Sequence, residues 1–172
     1  VRKLAVKIVW IKRDIRTLDH ESFHAAESKN IPYLPVYIFD NDLIDYPDTT
    51  DRHLVCIYNS LIDINKKLSS FNKEVEILYG PSLDIFKYLI SQYKIENIFS
   101  YQESGIKQSW QRDIKVRSFC NENSINWIEF QRDGIIRGIK DRKNWNKNWH
   151  IQMHSQIIEN SCKKQNKLKF LT

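Results

Sequence analysis

The sequence is poor in glycine and proline, with four of each among 172 residues. Collagen-like and low-complexity disordered chains are rich in these residues, so neither class fits. The chain also has neither the GxGxxG turn that brings a pyrophosphate onto a helix nor the GxxxxGK[ST] phosphate loop. A standard dinucleotide-dependent dehydrogenase and a P-loop NTPase are therefore disfavoured.

Cysteine is also scarce. The three cysteines, Cys56, Cys120 and Cys162, lie far apart and form no CxxC pair that could hold zinc or a redox disulfide. We expect reduced thiols, most of them buried, and no metal site.

Long apolar runs are missing. No stretch approaches the roughly 20 apolar residues of a membrane helix, and residues 1–12 have the pattern of a strand rather than of a signal peptide. We expect a cytoplasmic protein with no membrane partner.

Acidic residues become rare towards the end of the chain. Of 27 basic and 21 acidic residues, ten and three lie from Arg132 onward, which leaves 17 and 18 before it. The last quarter is therefore strongly basic and the rest nearly neutral. This asymmetry indicates either a surface that meets an anionic partner such as nucleic acid or an ordinary solvated helix and tail.

The composition that remains, 41% hydrophobic and 28% charged, is typical of one folded domain. Short apolar runs alternate with stretches of helical periodicity, which is the pattern of βαβ units and a parallel sheet. The predicted strands cover residues 4–11, 33–39, 75–78, 97–101 and 127–130, and the predicted helices residues 21–28, 51–68, 83–92 and 107–121.

Two of these helices carry more detailed signals. The second has apolar residues at helical spacing, so one face is expected to pack on the sheet. Ser82 stands where an N-cap of the third helix would lie. The apolar face consists of Leu54, Ile57, Tyr58, Leu61, Ile64 and Leu68.

The pattern changes after the fifth strand. Residues 131–143 are basic, contain two of the four glycines and are predicted to form an extended loop. Residues 145–160 are predicted to be helical, and residues 161–172 are polar and rich in lysine, like a linker.

In an open parallel sheet, ligands bind outside the carboxyl ends of the strands, where the strand order reverses. The candidate site is therefore formed by the loops after the first, second and fourth strands, with the sequences KRD at 12–14, DND at 40–42 and QESG at 102–105. The carboxylates of these loops are more often caps and loop pins than acid/base groups, and no paired nucleophile accompanies them. We assign no catalytic residue.

The loop after the first strand carries a family resemblance. Residues 9–19 read VWIKRDIRTLD and lead into a predicted helix with SFHAA. This segment resembles the opening signature of the photolyase and cryptochrome family, in which a strand runs into RDLR and then Asp. Arg13 and Arg16 are expected to pair with Asp14 and Asp19 and so to hold the turn.

The resemblance covers residues 4–155 with gaps, and several motifs in the same order make it more specific than any single match. The further segments are PVYIFD at 35–40, RH at 52–53 with SL at 60–61, ESG at 103–105, SWQRD at 109–113 and EFQRDGIIR at 129–137.

The resemblance implies an α/β fold: a doubly wound, Rossmann-like, five-stranded parallel sheet in the order 3-2-1-4-5. The α/β domain would occupy residues 1–132, and residues 133–172 would form a basic exit loop, a helix and the start of a linker. That linker would lead to a helical domain, absent from this chain, that holds the catalytic FAD.

On this resemblance the chain is the N-terminal, light-harvesting domain of a deoxyribodipyrimidine photolyase. Such enzymes use light-excited reduced flavin to inject an electron into a pyrimidine dimer in DNA, whereas related cryptochromes use flavin photochemistry for signalling. The implied partners are the FAD-binding helical domain and, through the parent protein, damaged DNA. The parent would be a carbon–carbon lyase, and this chain alone would be inactive.

The resemblance also places an antenna chromophore, a flavin, deazaflavin or folate, between the ends of strands one, two and four. Where pterin-binding members carry an acid, this chain has Ser109, which weakens the case for folate. His20 and Glu21 replace a frequent Asn-Pro pair and are expected to alter only the turn. An apolar wall and a few polar groups would hold the planar ring, and the candidate residues are Lys12, Phe39, Asp40, Asn41, Gln102 and Glu103.

Two residue pairs near the end of the chain are four positions apart. His150 and His154 are expected to be surface histidines, because Ile151 stands where a metalloprotease helix needs Glu. Trp145 and Trp149 could stack on a base or a flavin, but packing of the helix against its own domain is favoured.

Two other functions stay open besides a cryptochrome photoreceptor. A free-standing nucleotide-binding module would need a glycine-rich phosphate loop, which the sequence lacks. An interaction module would use the basic segment that begins at Arg132.

Overall fold

The sheet is built around a central strand, β1 (Ala5–Ile11). The computed structural model describes residues 3–28, 30–138 and 140–168. The strands pair in parallel in the order β3-β2-β1-β4-β5, which confirms the predicted fold class and strand order. The other strands are β2 (Tyr33–Phe39), β3 (Glu76–Tyr79), β4 (Lys94–Tyr101) and β5 (Asn126–Phe130).

Six helices lie within the described residues, and the four predicted between the strands are present within one residue of the expected bounds. The sequence pattern does not reveal α2 or a 3₁₀ turn at Ser69–Phe71, because a single turn is too short to show a period. None of these helices combines the length and hydrophobicity that a bilayer crossing needs. The helices are α1 (Glu21–Glu27), α2 (Asn41–Ile44), α3 (Asp51–Leu68), α4 (Ser82–Gln92), α5 (Lys107–Glu122) and α6 (Trp145–Met153).

The helices cover both faces of the sheet, and β1 supplies side chains to both. Its residues alternate, with Val6, Ile8 and Trp10 packed towards α4 and α5, and Val9 and Ile11 packed towards α1 and α3. Because β1 also has a strand on each side, none of these five residues is more than 1% exposed. Each contributes about 1.5–3 kcal/mol by leaving water.

Helix α3 packs on the sheet through its second half only. Leu61, Ile64 and Leu68 are buried as predicted, but Leu54 and Ile57 are half-buried and Tyr58 is 49% exposed, so the prediction for Tyr58 is wrong. The reason is length: α3 is about 27 Å long, whereas the four residues of edge strand β3 span about 13 Å. The first turns of α3 therefore extend beyond the sheet.

The prediction that Ser82 caps α4 is wrong. The cap position is Pro81, and Ser82 is the first helical residue. Its backbone N–H and its hydroxyl both donate to Oδ2 of Asp40, with the N–H bond at 2.8 Å. The carboxylate that satisfies the start of α4 thus comes from the end of β2.

The cysteines are free thiols, as expected, but their burial differs. Cys120 is buried and Cys162 half-buried, whereas Cys56 is exposed. The expectation of mostly buried thiols is wrong for Cys56, which lies in the first turns of α3, beyond the edge of the sheet.

The predicted helix 145–160 ends early, at Met153. Residues 154–168, which we call the exit strap, run back along the domain instead. The side-chain amide of Asn160 donates to the carbonyl of His20 and accepts from its N–H, both at 2.8 Å. The amide of Gln165 makes the same two bonds to Tyr33, at 3.0 and 3.2 Å. Each amide pairs with the backbone as a neighbouring strand would.

The exit strap should loosen when Asn160 is replaced by Ala. The change leaves the N–H of His20 without a protein partner, while its C=O still accepts the N–H of His24. We expect the attachment to be destabilised by about 2 kcal/mol. We expect the His20 amide to exchange with deuterium markedly faster, as measured by NMR or mass spectrometry. The matched control is Asn166→Ala, because Asn166 is exposed in the same segment. Equal exchange of the His20 amide in both variants would contradict the assignment.

Candidate functional site

A cleft of about 490 Å³ opens at the carboxyl edge of the sheet. After β1 the chain continues to β2 and β3 on one side of the sheet, and after β4 it continues to β5 on the other side. The loops after β1 and β4 therefore diverge and leave a crevice between them. The cleft volume falls within the range of about 300–1,000 Å³ that is usual for small-molecule sites.

One side of the cleft is apolar. Strand ends, α2 and the overhanging first turns of α3 contribute to it, which explains why Leu54 and Ile57 are not covered by the sheet. Tyr37 and Phe39 meet edge to face with ring centroids 5.0 Å apart, and burial raises the pKa of Tyr37 to about 12, so its hydroxyl stays neutral. The apolar and aromatic residues that line the cleft are Trp10, Ile11, Ile15, Tyr37, Ile38, Phe39, Leu43, Ile44, Tyr46, Leu54, Ile57 and Ile106.

The opposite side carries charge. Glu103 is buried between two arginines, with Arg13 Nε 3.1 Å from its Oε1 and a terminal nitrogen of Arg112 3.6 Å from its Oε2. Gly105 allows this arrangement, since a Cβ at that position would overlap the Arg13 guanidinium. Arg13 is half exposed, so its guanidinium is available to a ligand in the cleft.

Lys12 also lines the cleft, but its ammonium is turned towards another element. Its Nζ donates to Oδ2 of Asp113 at 2.8 Å and lies 3.8 Å from Glu129. It sits over the rings of Trp10 and Trp127, 4.8 and 5.4 Å from their centroids. Burial lowers the pKa of Lys12, while Asp113 acts in the opposite direction. The side chain joins β1 to α5 and β5.

Asp40 closes the wall between β2 and α4. It is buried, and its Oδ1 accepts a hydrogen bond from the N–H of Asp42 at 3.1 Å. Its Oδ2 accepts hydrogen bonds from the backbone N–H and the hydroxyl of Ser82. Both oxygens are thereby engaged in holding α2 and α4. This arrangement fits a loop pin better than an acid/base group.

Four of the six predicted site residues therefore surround one cleft: Lys12, Phe39, Asp40 and Glu103. Asn41 and Gln102 are not among the residues that line it in the described part of the chain. The Asn41 amide donates to the hydroxyl of Tyr79 at 2.9 Å, and the Gln102 N–H donates to the carbonyl of Phe130 at 2.8 Å.

The sequence reasoning misses several polar residues of the lining. Arg112 lies on α5, His53 lies in the first turn of α3, and Thr49 precedes that helix. His53 and Arg112 belong to motifs of the family resemblance, but these motifs did not place them at the cleft. The helical period of α3 put Leu54 and Ile57 on an inner face without showing that this face runs past the sheet.

The loop after β1 is held differently from the prediction. Arg16 does bond to Asp19, through two nitrogens to its carbonyl at 3.0 and 2.8 Å. Arg13, however, pairs with Glu103 rather than with Asp14. The partner of Asp14 is His20, whose Nε2 lies 2.7 Å from Oδ2 of Asp14.

His20 does more than alter a turn. Its side chain is fully buried, and its Nδ1 accepts the N–H of Phe23 at 3.3 Å, so it caps α1. Nε2 therefore carries the proton that faces Asp14. Burial opposes ionisation of Asp14, but the hydrogen bond from His20 and the Lys12 N–H outweigh it, and the pKa of Asp14 is lowered.

The remaining sequence candidates lie outside the cleft. Ser109 is buried and donates to the carbonyl of Ile106 at 2.7 Å. His150 and His154 are exposed, as expected, and no cluster of metal ligands occurs within the described ranges. The packing of α6 against its own domain, which the sequence favours for Trp145 and Trp149, is found for Trp149, whose ring lies against Gly134, although α6 has no fully buried residue.

Replacing Asp14 by Asn should weaken the fold in a pH-dependent way. At neutral pH we expect a loss of about 2 kcal/mol, the usual size of a hydrogen bond to a charged group. Because the pKa of Asp14 is lowered in the folded state, its contribution is present above the unfolded value of about 4 and disappears as pH falls through the folded pKa. The difference from the wild type should therefore shrink in acid.

Urea unfolding at neutral pH and at several values below pH 4 measures both effects. Asp84→Asn is the matched control, because the Asp84 carboxylate is 64% exposed and its ion-pair partner, Lys87, is also exposed. A penalty for Asp14→Asn that is the same at every pH would contradict the low folded pKa.

The fold and the cleft together define a doubly wound α/β domain with a ligand-sized opening at its switch point. The sequence model of the DNA photolyase family matches residues 7–148, most of the chain. The chain belongs to the DNA photolyase family and forms the N-terminal α/β domain found in its photolyases and cryptochromes.

The curated relatives are cryptochromes. Cryptochrome DASH (chloroplastic/mitochondrial) of Solanum lycopersicum is 27% identical over 136 residues, which cover 76% of this chain and 23% of that protein. Cryptochrome-1 of Drosophila melanogaster is 25% identical over 129 residues, which cover 71% and 23%. The chain spans about a quarter of the length of these relatives.

The similar solved structures include photolyases and a cryptochrome. An archaeal photolyase from Sulfolobus tokodaii matches with a TM-score of 0.70 and 20% identity over 92% of this chain and 37% of its own. The Synechocystis sp. PCC6803 cryptochrome matches with a TM-score of 0.75 and 12% identity, and the match covers 93% of this chain and 36% of that chain. A class III photolyase from Agrobacterium tumefaciens matches with a TM-score of 0.73 and 16% identity, and the match covers 96% of this chain and 36% of that chain. At these identities the likeness concerns the fold.

Proposed function

We propose that this chain is the light-harvesting-cofactor domain of a deoxyribodipyrimidine photolyase, and that a helical FAD-binding domain occupies another part of the protein. The observation that carries the proposal is the cleft at the switch point, with one apolar wall and two arginines opposite it. The α/β domain would span residues 1–132, because β5 ends at Phe130, and residues 133–172 would lead towards the helical domain.

The proposed occupant of the cleft is a flavin-type chromophore. Its aromatic ring would lie on the wall around Phe39 and Ile57, and its anionic part would face the half-exposed Arg13. The Arg112 guanidinium is buried and bonded to Asp113, so it would act mainly by shaping the cleft. A flavin supplies absorption of light there, and these side chains bind it, orient it and exclude water. Ser109 offers no carboxylate for a pterin, so folate is the weaker candidate.

One of the similar structures supports the choice of a flavin. The Sulfolobus tokodaii photolyase is described as containing two FAD molecules, with the implication of a novel light-harvesting cofactor. Lys12, Asp40 and Glu103 would act mainly by shaping the cleft, since each is already engaged with protein partners. We leave Asn41 and Gln102 outside the proposed binding site.

A cryptochrome photoreceptor is the second candidate, because the curated relatives bear that name. The cleft serves a light-harvesting chromophore equally well in either protein. A repair assay on cyclobutane pyrimidine dimers with the whole protein separates the two: light-dependent repair supports the photolyase, and its absence with FAD bound supports the photoreceptor.

Arg13→Ala should weaken the binding of flavin mononucleotide by about tenfold, because a charge-assisted hydrogen bond to the phosphate is removed. Flavin fluorescence during titration measures the affinity. Arg16→Ala is the matched control, since Arg16 lies three residues away and outside the cleft. Riboflavin, which lacks the phosphate, should bind both variants and the wild type with the same affinity.

Phe39→Ala should weaken flavin mononucleotide and riboflavin alike, since it removes the wall that both rings share. A chromophore that binds equally well to wild type, Arg13→Ala and Phe39→Ala would lie elsewhere. Binding of a reduced folate or a deazaflavin in preference to both flavins would contradict the proposed chromophore but not the proposed binding site.

The 172-residue chain alone should show no light-dependent repair of thymine dimers. A chromophore in this cleft supplies excitation energy, but the electron for dimer cleavage comes from the FAD of the helical domain. The measurement is dimer repair under near-ultraviolet light with purified chain, before and after addition of flavin mononucleotide. Repair above the rate of the no-protein control would contradict the proposed division of labour.

A further inference from the structure

A second opening of about 330 Å³ adjoins the cleft between α2 and α5. Tyr46 and Arg112 border both openings, so the second begins where the cleft ends. We propose that this α2–α5 groove binds the adenosine half of FAD, whose flavin half occupies the cleft. The inference rests on the proposed flavin chromophore and extends it from the ring to the tail of the ligand. The groove residues that carry it are Asp42, Asp45, Tyr46, Gln108, Gln111 and Lys115.

The walls of the groove come from two elements that follow neighbouring parts of the carboxyl edge of the sheet. Gln108, Gln111 and Lys115 stand at positions i, i+3 and i+7 of α5, so they share one face of that helix. Asp42 and Asp45 line the groove from α2 and its C-cap position. The groove is therefore polar, in contrast to the apolar wall of the cleft.

The charged groups of the groove are not used by the protein. Among the residues that the structure describes, no ion pair or side-chain hydrogen bond engages the carboxylates of Asp42 and Asp45 or the ammonium of Lys115. The buried Arg112 beside them is different, because its guanidinium is bonded to Asp113. The hydrogen-bonding capacity of the two carboxylates and the lysine remains available to a ligand.

These groups match the parts of an adenosine. A carboxylate accepts the 2′-hydroxyl of the ribose in dinucleotide-binding folds, and Asp42 and Asp45 offer two. A glutamine carboxamide can bond to N6 and N7 of adenine at once, and Gln108 and Gln111 offer two carboxamides one turn apart. The half-buried ring of Tyr46 provides a surface on which adenine can stack.

The pyrophosphate of FAD would cross the boundary between the two openings. Arg13 is half exposed in the cleft, and Lys115 is exposed in the groove, so one cation lies on each side of that boundary. These two side chains take the place of the glycine-rich turn, which the sequence lacks.

The carboxylates of the groove also select against other tails. The glutamate tail of a folate and the terminal phosphate of flavin mononucleotide are anions, and Asp42 and Asp45 would repel them from the groove. Adenine and ribose are uncharged. Flavin mononucleotide can still place its phosphate against Arg13, but it leaves the groove empty and forfeits the contacts there.

The test compares FAD with flavin mononucleotide by isothermal titration calorimetry on the 172-residue chain. FAD should bind about tenfold more tightly, which corresponds to one or two additional net hydrogen bonds. Adenosine diphosphate, which has no flavin ring to bury on the apolar wall, should bind at least about tenfold more weakly than FAD.

Asp45→Ala should lower the affinity for FAD about tenfold, because a charge-assisted hydrogen bond to the ribose is lost. The affinity for flavin mononucleotide should not change. The matched control is Asp51→Ala, which removes another exposed carboxylate outside both openings.

Lys115→Gln should lower the affinity for FAD about threefold, the size of an exposed ion pair. Lys107→Gln should have no effect, because Lys107 is exposed on the same helix but outside the groove. The fold should be unaffected in both variants, since neither ammonium makes an ion pair among the described residues.

The possible failures are distinguishable. Flavin mononucleotide that binds as tightly as FAD would overturn the adenosine site and leave the proposed chromophore cleft intact. The same holds if FAD binds more tightly but Asp45→Ala and Lys115→Gln retain the full preference. Adenosine diphosphate that binds as tightly as FAD would make the groove a separate nucleotide site. If neither flavin binds, the proposed function fails, and this inference fails with it.

Discussion

Two of the charged side chains that follow the central strand, Lys12 and Asp14, are buried, and each must find a partner on another element. Lys12 reaches Asp113 on α5, and Asp14 reaches His20 at the start of α1. An unpaired charge at this depth would destabilise the fold by several kcal/mol. The positions of α1 and α5 around the end of β1, and with them the two sides of the cleft, depend on these pairs.

The same constraint explains why the cleft has one apolar and one charged side. On the β1–β4 side the buried charges require counter-charges, and Glu103 with Arg112 continues the network that Lys12 begins. On the β2 side the overhang of α3 leaves apolar residues without a strand to cover them. Asp40 lies between the two sides, and its carboxylate accepts hydrogen bonds from the N-terminal turns of α2 and α4 rather than pairing with a cation.

Periodicity predicts the strands and helices along the chain, whereas the order of the strands in the sheet is implied by the family resemblance. The partners of buried charges cannot be read in this way, because Arg13 has Asp14 beside it in sequence and yet pairs with Glu103, 90 residues away. The end of a helix that is set by tertiary contacts cannot be predicted from the sequence pattern for the same reason. Helix α6 ends at Met153 because Ile158 and Asn160 bond to the β1–α1 loop instead. The position of the cleft follows from the topology, but the sequence alone does not show which arginines line it.

The exit strap fixes the direction in which the polypeptide departs. Gln165 is bonded to Tyr33, the first residue of β2, which lies at the amino edge of the sheet. The cleft lies at the opposite edge, one strand length or about 23 Å away. A polypeptide that continues past the strap therefore starts at the edge of the sheet away from the cleft, and at least about seven extended residues are needed to span that distance.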